Sequence, residues 1–87
     1  MQGNCYLCGR YGFLEMHHVF GASRRKTSDK YGAVVGLCHY CHNEPPNGVH
    51  FNKEIRLALQ KEFQYKLMKE NGWTVEDFRA LFGKSYT

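Results

Sequence analysis

Two Cys-x-x-Cys pairs constrain this chain more than any other feature of its sequence. Cys5 and Cys8 form the first pair, and Cys38 and Cys41 form the second. A chain of 87 residues buries only a modest core, so a structural metal ion would add stability that the core alone cannot supply. Four thiolates satisfy a tetrahedral zinc ion and leave no position open to water. The sequence therefore predicts a closed, structural Zn²⁺ site.

The same four cysteines could instead form two disulfides, as in small secreted domains. The N-terminus has no basic segment followed by an apolar run, which is the pattern of a secretory signal. The Cys-x-x-Cys spacing, with His39 and His42 within and beside the second pair, suits zinc better. We therefore expect zinc and a reducing, cytoplasmic compartment. No apolar run approaches the ~20 residues that span a bilayer, so we expect no membrane partner.

The chain is basic, and its cations cluster. The net charge of +4 and the pI of about 9.0 fit a polyanionic partner without proving one. Residues 21–32 are polar and basic, and we interpret them as a loop. Such a charge run is most often a solvated surface, but this one directly follows two histidines, which favours contact with a phosphodiester backbone. The candidate phosphate-binding residues are Arg24, Arg25, Lys26 and Lys30.

Histidines carry the main functional hypothesis. A hydrolytic metal site needs neutral imidazoles or carboxylates, an open coordination position and a base. A single histidine is more often merely hydrogen-bonded, but five in a short span beside a metal clamp favour ligation. Alternation over residues 14–20 predicts a strand with His17 and His18 on opposite faces, so the two can serve one site only if the strand ends or bulges there. The five histidines are His17, His18, His39, His42 and His50.

The remaining pattern predicts a small α+β fold. Residues 33–37 are apolar and are expected to form the second strand of a hairpin. A helix should begin after the N-cap Asn52, run to about residue 71 and end at Gly72. A second helix should begin at Thr74, with Asp77 completing an acidic variant of the capping box, and end at Gly83. Both helices carry apolar stripes that are typical of core packing.

The order of these motifs resembles a known family. A Cys-x-x-Cys pair, a His-His pair on a strand and then Leu-Cys-x-x-Cys-His are similar to the HNH endonucleases of the His-Me finger, or ββα-metal, superfamily. The resemblance is greatest to small phage and prophage members with a four-cysteine zinc, and it covers residues 5 to about 55, with further likeness at 48–53 and 77–86. It implies one HNH nuclease domain over 1–87, with a zinc-stabilised ββα-metal finger in 1–50 and two packing helices in 51–87.

The resemblance also implies residue roles. His17 would bind the catalytic ion, His18 would be the general base, and His42 would be a second metal ligand. His50 is the candidate third ligand, because such sites often draw two ligands from the helical arm. The catalytic ion would be a divalent cation such as Mg²⁺, Mn²⁺, Ni²⁺ or Zn²⁺. His39 is interpreted as structural or solvent-facing. The family's middle Asn has no counterpart in residues 31–35, so another group would have to position His18.

These expectations describe a metal-dependent endonuclease that hydrolyses DNA phosphodiester bonds. One active site per chain implies nicking by a monomer or a weak homodimer. The setting would be the bacterial cytoplasm, with a phage or prophage origin and phage packaging or recombination proteins as candidate partners. The alternative is a zinc-stabilised DNA-binding or adaptor module without catalysis, in which the histidines merely pack. The sequence contains no feature that indicates which DNA sequence or shape is recognised.

Overall fold

A short hairpin carries the first cysteine pair. In the computed structural model, which describes the backbone of residues 1–87 and every side chain except that of Ala22, strands β1 (Gln2–Asn4) and β2 (Tyr11–Phe13) pair antiparallel. The turn between them begins at Cys5, and Gly9 adopts a φ of 77° there, a conformation that favours glycine. These strands were not predicted, because three residues are too few to show alternation.

A second hairpin carries the paired histidines. Strands β3 (Glu15–His18) and β4 (Val34–Leu37) pair antiparallel, with His18 opposite Val34. The predicted hairpin is confirmed, although β3 is shorter than the alternation over residues 14–20 suggested. It ends at His18, and both histidines lie within the paired strand, His17 opposite Val35 and His18 opposite Val34.

The basic segment after β3 is not a loop, so that prediction was wrong. The structure has a short 3₁₀ turn (Ala22–Arg24) followed by helix α1 (Arg25–Lys30). Ser28 explains the order of this segment, because it is fully buried and its Oγ donates to the carbonyl of Phe20 at 2.7 Å. The same Oγ accepts from the N–H of Phe20 at 3.2 Å. The two hydrogen bonds of this one serine thus hold α1 against the end of β3. The sequence does not indicate them, because Ser28 lies among charged residues.

Two further helices follow the second cysteine pair. Helix α2 (His39–Asn43) begins directly after Cys38. The long helix α3 (Lys53–Asn71) begins where the side chain of Asn52 accepts from the N–H of Ile55 at 3.0 Å, and it ends at Gly72 with a φ of 67°. Its predicted caps are confirmed.

The last helix also begins and ends where the sequence predicted. Helix α4 (Val75–Phe82) starts with a reciprocal capping box, in which Thr74 accepts from the N–H of Asp77 and Asp77 accepts from the N–H of Thr74. Gly83 ends it with a φ of 89°. Among the described residues, no helix combines the length and apolarity that crossing a bilayer requires.

An aromatic cluster fixes the end of the histidine strand. Phe20, two residues after His18, is buried with its ring centroid 5.4 Å from Phe78 and 4.6 Å from Phe82 of α4. Burying a phenylalanine contributes about 1.5–3 kcal/mol. The C-terminal helix therefore anchors the strand on which His17 and His18 lie.

Candidate metal centres

The four cysteines converge into one cluster. One sulfur from each lies within 4.8 Å of all the others, and all four cysteines are free. The Sγ atoms of Cys8 and Cys38 are 3.8 Å apart. A tetrahedral zinc ion with Zn–S bonds of about 2.3 Å separates its sulfurs by about 3.8 Å. Both the donor set and the spacing are compatible with zinc, so this cluster could hold a structural ion.

The protonation chemistry of the cluster also fits metal binding. Burial acts to raise the pKa of Cys5, but backbone hydrogen bonds outweigh it and lower that pKa to about 6. A thiol with such a pKa is mostly thiolate at neutral pH, the form that binds a metal. Burial, together with the neighbouring sulfurs, raises the pKa of Cys41. A bound cation would stabilise several thiolates close together. Without one, burial and the neighbouring sulfurs favour the protonated form of Cys41.

Three histidines form a second cluster. His17 on β3, His42 on α2 and His50 after α2 each present one ring nitrogen, and these three atoms lie within 4.8 Å of one another. The Nε2 atoms of His42 and His50 are 3.0 Å apart. Two nitrogens on adjacent positions of an octahedral ion, with bonds of about 2.1 Å, would be about 3 Å apart. The His42–His50 pair has this spacing, and the three histidines together could hold a metal ion.

His17 shows the clearest sign of a missing ligand. Its side chain is buried, and its Nε2 has no hydrogen-bond partner among the described residues. An unpaired buried polar atom costs about 1–3 kcal/mol, and a bound cation would satisfy it. Burial, and then the nearby imidazoles of His42 and His50, lower the pKa of His17 to about 4. The ring is neutral at pH 7, which is the state that binds a metal.

A glutamate connects the strand to the histidines of α2. Glu15 accepts hydrogen bonds from Nδ1 of His42 at 2.9 Å, from Nδ1 of His39 at 3.1 Å and from the amide of Asn43 at 3.0 Å. The hydrogen bond from His42, followed by that from His39, lowers the pKa of Glu15. The same carboxylate raises the pKa of His39, which is exposed and also contacts Glu44. Glu15 was not singled out from the sequence.

His18 lies beside this cluster with a different partner. Its Nε2 is 2.8 Å from Oδ1 of Asp29 on α1. His17 and His18 line the same cleft, which has a volume of about 390 Å³ and also includes His42 and His50. Asp29 was missed in the sequence analysis, because a lone acidic residue inside a basic run carries no signal of its own. It belongs to the segment that was misjudged as a loop.

The predicted phosphate-binding cations lie in different places. Arg25 lines the cleft, and Lys26 lines the adjoining groove with His18 and Asp29. Arg24 is half-buried and donates to the carbonyl of Leu81 at 3.5 Å, so it lies against α4.

The last of the four cations, Lys30, is not among the residues that line these grooves, and its ammonium lies 5.5 Å from the centroid of the Tyr31 ring. Another cation, Arg56 of α3, lines a further groove together with His17, His18 and His50. It donates to the carbonyl of Val49 at 3.1 Å. Arg56 was missed because it stands on a helix that sequence reasoning assigned to packing.

Comparisons with models of protein families, with curated proteins and with solved structures find no match to this chain. The resemblance to HNH nucleases therefore rests on the order of the sequence motifs.

Proposed function

We propose that this protein is a metal-dependent endonuclease that hydrolyses DNA phosphodiester bonds in the manner of HNH nucleases. The observation that carries the proposal is the convergence of three imidazole nitrogens, one each from His17, His42 and His50, within 4.8 Å. The buried ring of His17 also has an Nε2 without a hydrogen-bond partner among the described residues. A fourth histidine, His18, borders the same cleft. This combination provides ligands, an open face and a base, which together are what metal-assisted hydrolysis requires.

His17, His42 and His50 would hold the divalent ion. Three protein ligands leave coordination positions for water and substrate oxygens. When bound, a cation such as Mg²⁺, Mn²⁺, Ni²⁺ or Zn²⁺ would act as a Lewis acid toward the phosphate and the leaving oxygen. His17 is suited to this role because its low pKa, about 4, keeps the ring unprotonated at neutral pH.

His18 would act as the general base. The carboxylate of Asp29 lies 2.8 Å from Nε2 and can only accept a hydrogen bond, so this contact would place the ring proton of His18 on Nε2 and leave the lone pair on Nδ1. That lone pair would take a proton from the water that attacks phosphorus. Asp29 would serve as a positioning residue, in place of the Asn that the family motif has and this chain lacks.

Cations in the grooves beside the histidines would hold the DNA backbone. Arg25 and Lys26 line grooves that include His18, and Arg56 lines another groove that includes His17, His18 and His50. Contacts to phosphates position the substrate without reading its sequence.

With one site per chain, a monomer would nick, and a double-strand cut would need two chains or two encounters. A phage or prophage origin, and packaging or recombination partners, belong to this proposal through the motif resemblance.

Plasmid nicking with Mg²⁺, Mn²⁺ or Ni²⁺ tests the mechanism. Loss of a general base lowers the rate by about 100-fold or more, so His18→Ala should nick at least that much more slowly than the wild type. His39→Ala is the matched control, because His39 is exposed and lies outside the cleft, and it should retain most activity. Full activity of His18→Ala would refute the mechanism, whatever the fold.

Steady-state kinetics separate positioning from binding. Asp29→Ala should lower kcat with little change in KM, because it disturbs the base but not the DNA contacts. Lys26→Ala should do the reverse and raise KM, because it removes a phosphate contact. A rise in KM alone for Asp29→Ala would count against a positioning role.

The second candidate function is a zinc-stabilised DNA-binding or adaptor module without catalysis. One observation favours it: Nε2 of His42 and Nε2 of His50, at 3.0 Å, can hydrogen-bond to each other without an ion. Metal analysis distinguishes the two functions. One tightly bound zinc per chain, with no second ion in millimolar Mn²⁺ or Ni²⁺, would favour the module.

A further inference from the structure

We propose that Glu15 is a positioning residue that fixes the ring orientation and tautomer of His42 and thereby sets the affinity of the three-histidine site for its cation. This inference rests on the proposed function, because it concerns the same site. It assigns a role to a residue that is not itself one of the three proposed metal ligands and is not proposed to contact the substrate.

The hydrogen bonds define the tautomer. Oε1 of Glu15 lies 2.9 Å from Nδ1 of His42 and accepts from the amide of Asn43 at 3.0 Å, and the Asn43 amide nitrogen also lies 3.1 Å from the same Nδ1. A carboxylate can only accept, so the hydrogen bond to Glu15 requires the His42 proton on Nδ1, whereas the amide alone would favour a bare Nδ1. Nε2 of His42 then keeps its lone pair and faces Nε2 of His50, 3.0 Å away. This is the tautomer that a metal ligand coordinating through Nε2 must have.

The position of Glu15 on β3 explains why it can do this. Glu15 and His17 are two residues apart on one strand, so their side chains project from the same face. His17 enters the cluster directly, and Glu15 reaches the neighbouring helix α2, which presents His42. One strand face therefore supplies one ligand and orients a second.

The expected effect follows from other carboxylate–histidine–metal arrangements. A hydrogen-bonded carboxylate holds the ligand ring in place and raises its basicity, and loss of such a partner typically weakens metal binding by about 10–100-fold. An ordinary surface ion pair would have little effect on metal binding. The two interpretations therefore predict different affinities for the same variant.

The chain contains a matched control. Glu44 contacts Nε2 of the exposed His39 at 3.1 Å, much as Glu15 contacts its Nδ1, but it makes no hydrogen bond to His42 among the described residues. Glu44→Ala thus removes a carboxylate from the same polar network and leaves the partner of His42 intact.

Calorimetric titration of Ni²⁺ into the zinc-loaded chain is the first measurement. Glu15→Ala should bind Ni²⁺ about 10–100-fold more weakly than the wild type, whereas Glu44→Ala should stay within about twofold of it. Glu15→Gln, which can accept the hydrogen bond but lacks the charge, should lie between and serves as the second variant if Glu15→Ala folds poorly. Equal affinity for wild type and both Glu15 variants overturns the inference. No Ni²⁺ binding by the wild type overturns the proposed site itself.

Long-range ¹H–¹⁵N NMR spectra of the nickel-free, zinc-loaded chain give an independent readout. His42 should be protonated on Nδ1 in the wild type and in Glu44→Ala, and should shift toward the Nε2-protonated tautomer in Glu15→Ala. A merely structural role for Glu15 would not move this signature, and an unchanged tautomer would overturn the proposal.

Discussion

Acidification should destabilise this protein through one buried imidazole, His17. The ring is 6% exposed, and its Nε2 is unpaired among the described residues. Its pKa falls from 6.5 to about 4 because burial, and then the neighbouring imidazoles, disfavour the charged form. Between these two pKa values the imidazole of His17 is protonated in the unfolded chain but not in the folded chain. The free energy of unfolding must therefore fall as the pH drops from above 6.5 toward 4.

The magnitude follows from linkage. Between pH 7 and pH 5 an imidazole with a pKa of 6.5 takes up most of one proton, whereas one with a pKa of about 4 takes up very little. The resulting loss in the free energy of unfolding is about 2 kcal/mol. His50, whose pKa burial also lowers, adds a loss of the same sign. For a small domain this is a large share of the total stability.

Urea unfolding at pH 7, 6 and 5, followed by the fluorescence of Trp73 with one equivalent of zinc, measures the effect. His17→Gln should lose about 2 kcal/mol less than the wild type over this range. The cysteine cluster is the same in both proteins, so its own pH dependence cancels and the difference isolates His17. His39→Gln is the control and should lose more than the wild type, because the pKa of His39 is raised and its protonation favours folding. Parallel pH profiles for wild type and His17→Gln would refute the reasoning.

Three further perturbations probe the clamp, the hairpin and the cleft. Cys41→Ser should abolish zinc retention and folding, as judged by metal analysis and circular dichroism, because structural zinc contributes about 10 kcal/mol or more. Gly36→Ala should lower the free energy of unfolding by about 1–3 kcal/mol in urea titrations, because its Cβ would lie 2.8 Å from Cδ1 and 3.3 Å from Cβ of Leu14, a buried side chain with little room to move. Gly12→Ala, which meets nothing within 4 Å, should not. Arg56→Ala should raise the KM for plasmid nicking with little change in kcat, and an unchanged KM would remove Arg56 from the DNA-binding surface.

Features encoded by neighbouring residues were predictable from the sequence. The caps of α3 and α4 are local patterns of three or four residues, and both are confirmed. The two cysteine pairs predicted one cluster, because the chemistry of four thiolates leaves few alternatives. Such signals depend on spacing along the chain and not on the tertiary fold.

Features created by tertiary contacts were not predictable. Asp29 meets His18 from eleven positions away, and Glu15 meets His42 from twenty-seven positions away. The basic run was predicted to be a loop for the same reason, since the sequence does not distinguish the buried Ser28 that orders α1 from a polar residue in a loop. Periodicity reports which face is apolar, but it cannot report which polar side chain finds a partner across the fold.

The two clusters share one short helix, and this makes them interdependent. Cys41 and His42 are adjacent on α2, which has five residues. A helix this short does not form by itself in water, so its geometry must come from its attachments. The cysteine cluster holds α2 through Cys41, and the hydrogen bond between His42 and Glu15 holds it through His42. Because His42 is presented by this helix, we expect that a metal ion at the cysteines would have to bind before the proposed ion at the histidines. Loading should therefore be ordered, with the thiolate site filled first, and a chelator that removes the structural ion should eliminate both sites together.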